Sequence, residues 1–156
     1  MLSCMSRNAL FVDLENLLQG TTGPTLLQQA LELIDLTAGP RCRVTVAMSH
    51  HFLGKIGHDL HQRMPGARIV VASGVNGADL ALLAAMGESN LSSGDQVVLA
   101  SGDGIFADAV ATLAGTGVMT TVVAHRDGLA RSLRMAAHAH LYVDALVGTP
   151  YLVTAA

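Results

Sequence analysis

The chain has 156 residues, of which 51% are hydrophobic and 13% are charged, and its formal net charge is −3. A chain of this length can bury a core in one domain without disulfides or a structural metal. Aromatic residues make up only 3% of the sequence, so the composition excludes a broad basic nucleic-acid platform with stacking rings. Gly, Pro, His or charged residues interrupt every apolar run before it reaches the roughly 20 residues of a membrane span.

The cysteines and the first residues indicate the compartment. Cys4 and Cys42 are far apart and form no metal-like cluster, which is typical of buried thiols in a reducing environment. The opening MLSCMSRNALFVD has too short an apolar run for a signal peptide. We therefore expect an intracellular, cytoplasmic protein, in which the apolar excess lies in a buried sheet and in hidden surface such as a homodimer contact.

Strand-like and helix-like segments alternate along the chain. Runs rich in β-branched and aliphatic residues occupy 9–13, 42–48, 67–72, 96–101, 118–124 and 140–144. Segments of helical period lie between them, at 25–36, 52–64, 78–86, 105–115 and 129–139. Several strand segments are apolar on nearly every residue, which predicts strands that are covered on both faces. The pattern predicts the α/β class, as a three-layer α/β/α sandwich around a mostly parallel, doubly wound sheet.

Glycine and proline mark the ends of these segments and suggest no division into domains. Gly23-Pro24 opens the first helix, Gly39-Pro40 closes it, and Pro65-Gly66 ends the second. The sequence contains no repeat, linker or low-complexity tract. We predict one domain over 1–156, with a core at about 8–144 and an apolar C-terminal extension at 145–156 that docks on the core or on a second subunit.

Acidic and amide side chains follow three of the predicted strands. Asp13 and Asn16 follow the first strand, Asp79 lies at the start of a helix after the third, and Asp103 ends the fourth. Ligands of an open parallel sheet bind beyond the carboxyl ends of its strands. Clustered carboxylates at that edge would repel one another and are the ligands that Mg²⁺ or Mn²⁺ prefers. Alternatively, Asp79 is only a helix-dipole charge and Asp103 only a turn residue.

Two further polar residues are candidates for an auxiliary role at the same edge. Ser101 can hydrogen-bond across the turn and orient a neighbouring carboxylate, and Asn76 can do the same or contact a phosphate. For both residues, ordinary turn chemistry is an equally good interpretation.

The histidines and arginines offer candidates for contacts with an anionic ligand. His50 and His51 follow the second strand at its carboxyl end, where they can contact RNA phosphate or base or donate a proton. Arg126, Arg131 and Arg134 form the one local basic cluster, with Arg131 and Arg134 on the same helical face. The alternative for the arginines is a salt-bridged surface.

Four motifs resemble those of the NYN domain family, a branch of the PIN-like ribonuclease superfamily. ALFVDLENL resembles the family's opening strand, with an Asp and an Asn three residues later. VNGADLALLAAM resembles the segment in which an Asp enters a helix. ASGDGIFADAVATLAGTGVMTTVVA and LARSLRMAAHAHLYVD resemble the Ser-Gly-Asp strand end and the final helix and strand. The resemblance spans roughly residues 8 to 144 and implies a PIN-like sandwich.

The resemblance also implies a site and an activity, namely RNA hydrolysis with Mg²⁺ or Mn²⁺ held by clustered acids. By position, Asp13, Asp79 and Asp103 match the family's metal-site acids, and Asn16 matches their polar companion. The sequence departs from the family where Ile105 and Ala85 stand at or near positions that usually carry an acid. A third departure is that Asn76 replaces a lysine. The resemblance thus implies a site reduced to three acids.

Two neighbouring acids could compensate for the missing ones. Asp108 lies one helical turn beyond Ile105, on roughly the same face, although a solvated charge in the first turn is its more ordinary role. Glu15 is adjacent to Asp13, and because neighbouring side chains in an extended chain point apart, we expect Glu15 to be exposed.

The resulting hypothesis is a metal-dependent endoribonuclease that uses Asp13, Asn16, Asp79 and Asp103, with activity weakened by the reduced acid set. The alternative is a catalytically inactive NYN-like module that binds RNA or protein as a monomer or a homodimer. A small phosphate-ester hydrolase using the same acids is a third interpretation, but no nucleophile motif singles it out. The state of the cleft distinguishes the first two. Three carboxylates within coordinating reach of one point, joined by Asp108 or Glu15, would favour the enzyme, whereas a cleft that Ile105 and Ala85 make apolar would favour the module.

Overall fold

Six parallel strands form one sheet in the computed structural model, which describes residues 6–20 and 23–143. The order across the sheet is β3-β2-β1-β4-β5-β6, so β1 and β4 are central neighbours. This arrangement confirms the predicted α/β class and the doubly wound sheet, and every strand pair in it is parallel. The strands are β1 Asn8–Asp13, β2 Arg43–Met48, β3 Arg68–Val71, β4 Gln96–Ala100, β5 Met119–Ala124 and β6 Ala139–Tyr142.

Helices cover both faces of the sheet and complete the three layers. The helices are α1 Leu14–Leu17, α2 Pro24–Thr37, α3 His50–Arg63, α4 Gly77–Glu88, α5 Ala107–Gly115 and α6 Arg131–Ala136. Apolar residues of α1, α2 and α3 join one core cluster, and those of α4, α5 and α6 join the other. The sheet therefore lies between two apolar layers.

Strand β1 shows why its sequence is apolar on successive residues. Leu10 and Val12 belong to the core on the side of α1–α3, whereas Ala9 and Phe11 belong to the core on the side of α4–α6. All four residues are at most 3% exposed. Because both faces of the strand are buried, polar residues do not alternate with apolar ones along it, as the sequence pattern indicated.

The last two predicted helices differ from the observed ones. The segment 105–115 begins as a 3₁₀ turn at Gly104–Phe106 before α5 starts at Ala107. The helix predicted over 129–139 is limited to Arg131–Ala136, because Ala137 is extended and the backbone N–H of His138 donates to the Thr120 carbonyl of β5. Pairing with the sheet thus takes these residues out of the helix.

The topology brings the ends of β1 and β4 together at the point where the strand order reverses. Val12 pairs with Ala100 in the register of the two strands, so Asp13 and Ser101 leave the sheet side by side. The extension at 145–156 and Cys4 lie outside the described residues. Among the residues that the structure describes, no helix is long and apolar enough to cross a membrane.

Candidate functional site at the carboxyl edge of the sheet

A cavity of about 280 Å³ opens at the carboxyl edge of the sheet and brings the predicted site residues together. All four acids and amides predicted as catalytic residues line it, together with Asn76. The loops after β1, β2, β3 and β4 each contribute to its wall. The lining consists of Asp13, Glu15, Asn16, Ser49, Ala72, Gly74, Asn76, Gly77, Ala78, Asp79 and Asp103. We call this space the acid cavity.

Asp13 is the most deeply buried carboxylate of the acid cavity, with 4% exposure. It is the last residue of β1 and caps α1, where its Oδ1 accepts the N–H of Asn16 at 3.3 Å. The buried Ser101 hydroxyl donates to Oδ2 at 2.9 Å. Burial raises the pKa of Asp13 from 3.8 to about 6, the nearby Asp79 adds to the rise, and the hydrogen bond from Ser101 opposes it.

Asp79 lies in the first turn of α4 and is half-buried beside Asp13. Burial raises its pKa, and the charges of Asp103 and Glu15 contribute to the rise. A hydrogen bond between the two carboxyl groups favours the ionised form of Asp79 and the protonated form of Asp13. Asp13 and Asp79 are therefore a pair that gains from holding one proton, or another positive charge, between them.

The Ser-Gly-Asp turn after β4 is tied to β1 by side-chain hydrogen bonds. The N–H of Gly102 donates to Asn16 Oδ1 at 3.0 Å, and the N–H of Asp103 donates to Ser101 Oγ at 3.2 Å. Asp103 is exposed, and its Oδ1 accepts the N–H of Ile105 at 3.0 Å. Asn16 and Ser101 thus hold the two strand ends in register around the acid cavity, and Ser101 contacts Asp13 as the sequence suggested.

Gly102 is required by the close approach of another backbone segment. A Cβ atom at this position would overlap the Gly128 carbonyl oxygen and lie 2.7 Å from its carbon. The carbonyl of Gly102 also accepts the N–H of Ala130 at 2.8 Å. The turn that carries Asp103 is therefore packed directly on the loop between β5 and α6, and no larger residue fits at its centre.

Glu15 corrects one expectation from the sequence. It is half-buried and lines the acid cavity, where its Oε1 accepts the N–H of Ser49 at 2.7 Å. The chain enters α1 directly after Asp13, so the side chains of Asp13 and Glu15 do not alternate as they would in an extended strand. The short helix was not predicted, and it places a fourth carboxylate in the cavity.

The structure does not bring the other compensating residue into the acid cavity. Asp108 is exposed in the first turn of α5 and is not part of the described lining. Ile105 is half-buried and packs on the core beside α5, while Ala85 is 4% exposed within that core. Neither apolar residue lines the acid cavity, which is therefore acidic and not apolar. Asn76 lines it with a left-handed backbone, at φ 55°.

The predicted RNA-binding residues lie outside the described lining of the acid cavity. His50 is exposed at the start of α3, next to the lining residue Ser49, and its Nδ1 lies 2.7 Å from Ser73 Oγ. His51 is exposed beside Phe52.

The basic cluster lies on the other side of the site. The guanidinium carbon of Arg126 lies 4.2 Å from the centre of the Tyr142 ring. Arg131 and Arg134 are exposed on α6, which follows the loop that packs on Gly102. The histidines thus follow β2 and the arginines follow β5, on opposite sides of the central β1–β4 pair.

The donor set suits a divalent cation in kind. Four carboxylates and two amides surround one cavity, and a cation would offset the negative charge that Asp13 and Asp79 bring together. Within residues 6–20 and 23–143, however, no group of three or more His, Cys, Asp or Glu side chains is arranged to hold a metal ion. The acids thus share the cavity without forming a closed set of ligands.

Comparison with solved structures supports the fold. The chain is similar to the crystal structure of a protein of unknown function from Vibrio parahaemolyticus, with a TM-score of 0.67 and 16% sequence identity. The alignment covers 98% of this chain and 100% of the other. Comparison with curated proteins finds no match.

A family model accounts for the motifs that surround the acid cavity. The model of the NYN domain matches residues 7–144, which include each strand and helix that the structure describes and each acid of the site. The predicted resemblance is thereby confirmed. This chain belongs to the NYN domain family, within the PIN-like superfamily.

Proposed function

We propose that this protein is a metal-dependent endoribonuclease that hydrolyses RNA phosphodiester bonds at the acid cavity. The observation that carries the proposal is the convergence of Asp13, Asp79 and Asp103 on one cavity at the carboxyl edge of the sheet. Membership of the NYN family supports a nuclease of the PIN-like type. The acidic lining favours catalysis over the alternative of an inactive module with an apolar cleft.

The carboxylates of Asp13, Asp79 and Asp103 are the residues that would hold Mg²⁺ or Mn²⁺. When bound, such a cation supplies a water of lowered pKa and offsets the charge that develops on phosphate oxygens. Asp13 contributes a carboxylate that burial has already removed from water. Ser101 fixes the orientation of that carboxylate through its hydrogen bond to Oδ2.

Asn16 has two tasks in this proposal. Its Oδ1 accepts the N–H of Gly102, which fixes the turn that presents Asp103. Its Nδ2 is then the atom that can orient water or a phosphate oxygen in the acid cavity. Asn76, at the start of α4, is the second amide of the lining and takes the same auxiliary role towards phosphate.

The flanking residues would bind the RNA backbone. We assign phosphate contacts to His50 and His51 on one side of the acid cavity and to Arg126, Arg131 and Arg134 on the other. Such contacts position a strand without reading its sequence. The three arginines also supply positive charge that the described lining of the acid cavity lacks.

Cleavage assays with matched carboxamide variants test the proposal. Mixed single-stranded RNAs are incubated with wild-type protein and Mn²⁺ or Mg²⁺, alongside Asp103→Asn and the control Asp108→Asn, which alters an exposed acid outside the cavity. We expect cleavage by the wild type and the control, loss in Asp103→Asn, and loss for all on adding a chelator. Equal cleavage by all three proteins would contradict the assigned site.

A second readout does not depend on activity. Calorimetric titration with Mn²⁺ should show binding to the wild type and to Asp108→Asn, with weaker binding to Asp103→Asn. Absence of both Mn²⁺ binding and cleavage would favour the RNA-binding or protein-binding module. Homodimer formation and a cytoplasmic location stay predictions, which sedimentation and fractionation can test.

A further inference from the structure

A second cavity adjoins the acid cavity and differs from it in chemistry. Its volume is about 320 Å³, and its described lining consists of Glu15, Asn16, Gln19, Gly20, His125 and Gly128. Glu15 and Asn16 line both spaces, so the two cavities are neighbours across one shared wall. Apart from Glu15, the second cavity is lined by amides, an imidazole and glycine backbone. We call it the amide cavity.

His125 gives the amide cavity a ring of fixed orientation. Its Nε2 lies 2.8 Å from the Leu17 carbonyl, and because a carbonyl oxygen only accepts, Nε2 carries the proton of this hydrogen bond. The bond joins the loop after β5 to the end of α1. Unstacked RNA bases commonly stack on such rings, including histidine. The phenylalanines cannot take this role, because Phe11, Phe52 and Phe106 are at most 6% exposed.

Gln19 supplies a side chain that can read a base edge. It is exposed, and its side-chain amide carries both an N–H donor group and a carbonyl acceptor. Its backbone has φ 53°, a left-handed conformation that is uncommon for a residue other than glycine or asparagine. This conformation closes the end of α1, where the N–H of Gly20 donates to the Glu15 carbonyl at 3.0 Å, and it fixes the point from which the Gln19 side chain extends.

We propose that the amide cavity binds the nucleobase next to the scissile phosphate, with the base stacked on His125 and its edge hydrogen-bonded by Gln19. The difference between the two linings supports this assignment. The acid cavity is lined by four carboxylates, whereas the amide cavity offers side-chain amides and an imidazole that can hydrogen-bond to base edges. Gln19 is then a specificity-determining residue of single-stranded RNA recognition. This inference rests on the proposed function, since the acid cavity defines which phosphate is cleaved.

Nucleotide binding without metal tests the inference separately from catalysis. The four nucleoside 5′-monophosphates are titrated into ¹⁵N-labelled protein in the presence of a chelator, and amide resonances are followed by NMR. We expect shifts at Gly20 and Gly128 and one base bound at least about fivefold more tightly than the weakest. No shift at these glycines with any of the four nucleotides would overturn the proposal.

Variants locate the specificity. Gln19→Ala should reduce the differences among the four bases to within about twofold, whereas the control Gln96→Ala, at the opposite edge of the sheet, should leave them unchanged. His125→Asn removes the ring but keeps an N–H donor, and it should weaken the binding of all four nucleotides. An unchanged base ranking in Gln19→Ala would also overturn the proposal.

The two proposals can fail independently. RNA cleavage by the wild type without nucleotide shifts at Gly20 and Gly128 would leave the nuclease standing and reject the amide cavity as a base site. The opposite result is also possible: Gln19→Ala removes the differences in affinity among the four nucleotides, but the wild type shows no metal-dependent cleavage. That result would support the base site and reject the nuclease.

Discussion

Two buried aspartates lie at opposite ends of the same pair of strands, and their surroundings have opposite effects. Asp13 follows β1 at the carboxyl edge and is 4% exposed, whereas Asp95 precedes β4 at the amino edge and is 2% exposed. Each is bound to a residue 88 positions away on the neighbouring strand end. Burial alone therefore does not explain the difference in their pKa values.

Asp95 is surrounded by donors. It accepts the backbone N–H of Arg7 at 2.8 Å, the guanidinium Nε of Arg7 at 3.2 Å and the N–H of Ser92 at 2.9 Å. These hydrogen bonds and the positive charge lower the pKa of Asp95 below its usual value. Asp13 instead lies beside Asp79 and carries a raised pKa. Asp95 therefore stabilises the fold in its ionised form. The ionised form of Asp13 is destabilised by its surroundings, and a bound cation would stabilise it.

The largest expected effect is a loss of RNA cleavage on changing Asp13 but not on changing Asp95. Asp13→Asn should reduce Mn²⁺-dependent RNA cleavage by at least about 100-fold, because the amide removes a charged ligand from the acid cavity. Asp95→Asn should cleave at close to the wild-type rate at temperatures where it is folded, because its site lies at the other edge of the sheet. Initial rates on one RNA measure both effects, and equal losses would break the comparison.

The stabilities should change in the opposite sense. Because the pKa of Asp13 is 3.8 when unfolded and about 6 when folded, its ionised form costs the fold up to about 3 kcal/mol at pH 8. Asp13→Asn should therefore raise the free energy of unfolding at pH 8 in metal-free buffer.

The pH dependence of that gain gives the matching control. Wild-type protein gains stability as pH falls through about 6, and the favourable protonated state of Asp13 is fully present below 3.8. The advantage of Asp13→Asn should hence shrink between pH 7 and pH 4 in urea unfolding curves. A difference that is constant with pH would show that the ionisation of Asp13 is not its source.

Asp95→Asn should destabilise the protein by about 1–3 kcal/mol at pH 7, because it removes a buried, charge-assisted set of hydrogen bonds. Since the pKa of Asp95 is lowered on folding, its contribution is present above the unfolded value and is lost as pH falls through the folded value. Thermal unfolding at pH 7 and pH 3 measures this loss. A stabilised Asp95→Asn would contradict the role assigned to it.

The smallest effect concerns Ser101. Ser101→Ala removes the donor to Asp13, so the pKa of Asp13 should rise further and the fold should lose about 1 kcal/mol at pH 8. NMR titration of the Asp13 carboxyl carbon measures the first effect and urea unfolding the second. A lowered pKa would mean that Ser101 does not stabilise the carboxylate.

The parts of the molecule that periodic patterns control could be predicted from the sequence. The continuous apolar runs identified the strands. The rule that ligands bind at the carboxyl edge of a parallel sheet predicted that four residues would line one site, namely Asp13, Asn16, Asp79 and Asp103. The alternation of strands and helices predicts parallel strands, whereas the strand order that makes β1 and β4 neighbours is known only from the structure.

The features that the sequence did not reveal depend on local turns or on contacts between distant residues. Glu15 enters the acid cavity because a single helical turn follows β1, and four residues are too few to show a period. No motif in the sequence singles out Asp95, because its partner Arg7 lies far away in the chain. The amide cavity likewise combines Gln19 and His125 from distant loops, and no short motif marks such a pair.

The pairing of β1 with β4 also bears on how the protein folds. β1 bonds to β2 within the first third of the chain, but its other neighbour arrives only after the crossover through β3 and α4. Contacts of such long sequence separation form slowly, because the intervening chain must be ordered first. Asp103 therefore joins Asp13 late in folding, and a nascent chain that ends before β4 would contain three of the four carboxylates of the acid cavity but no assembled site.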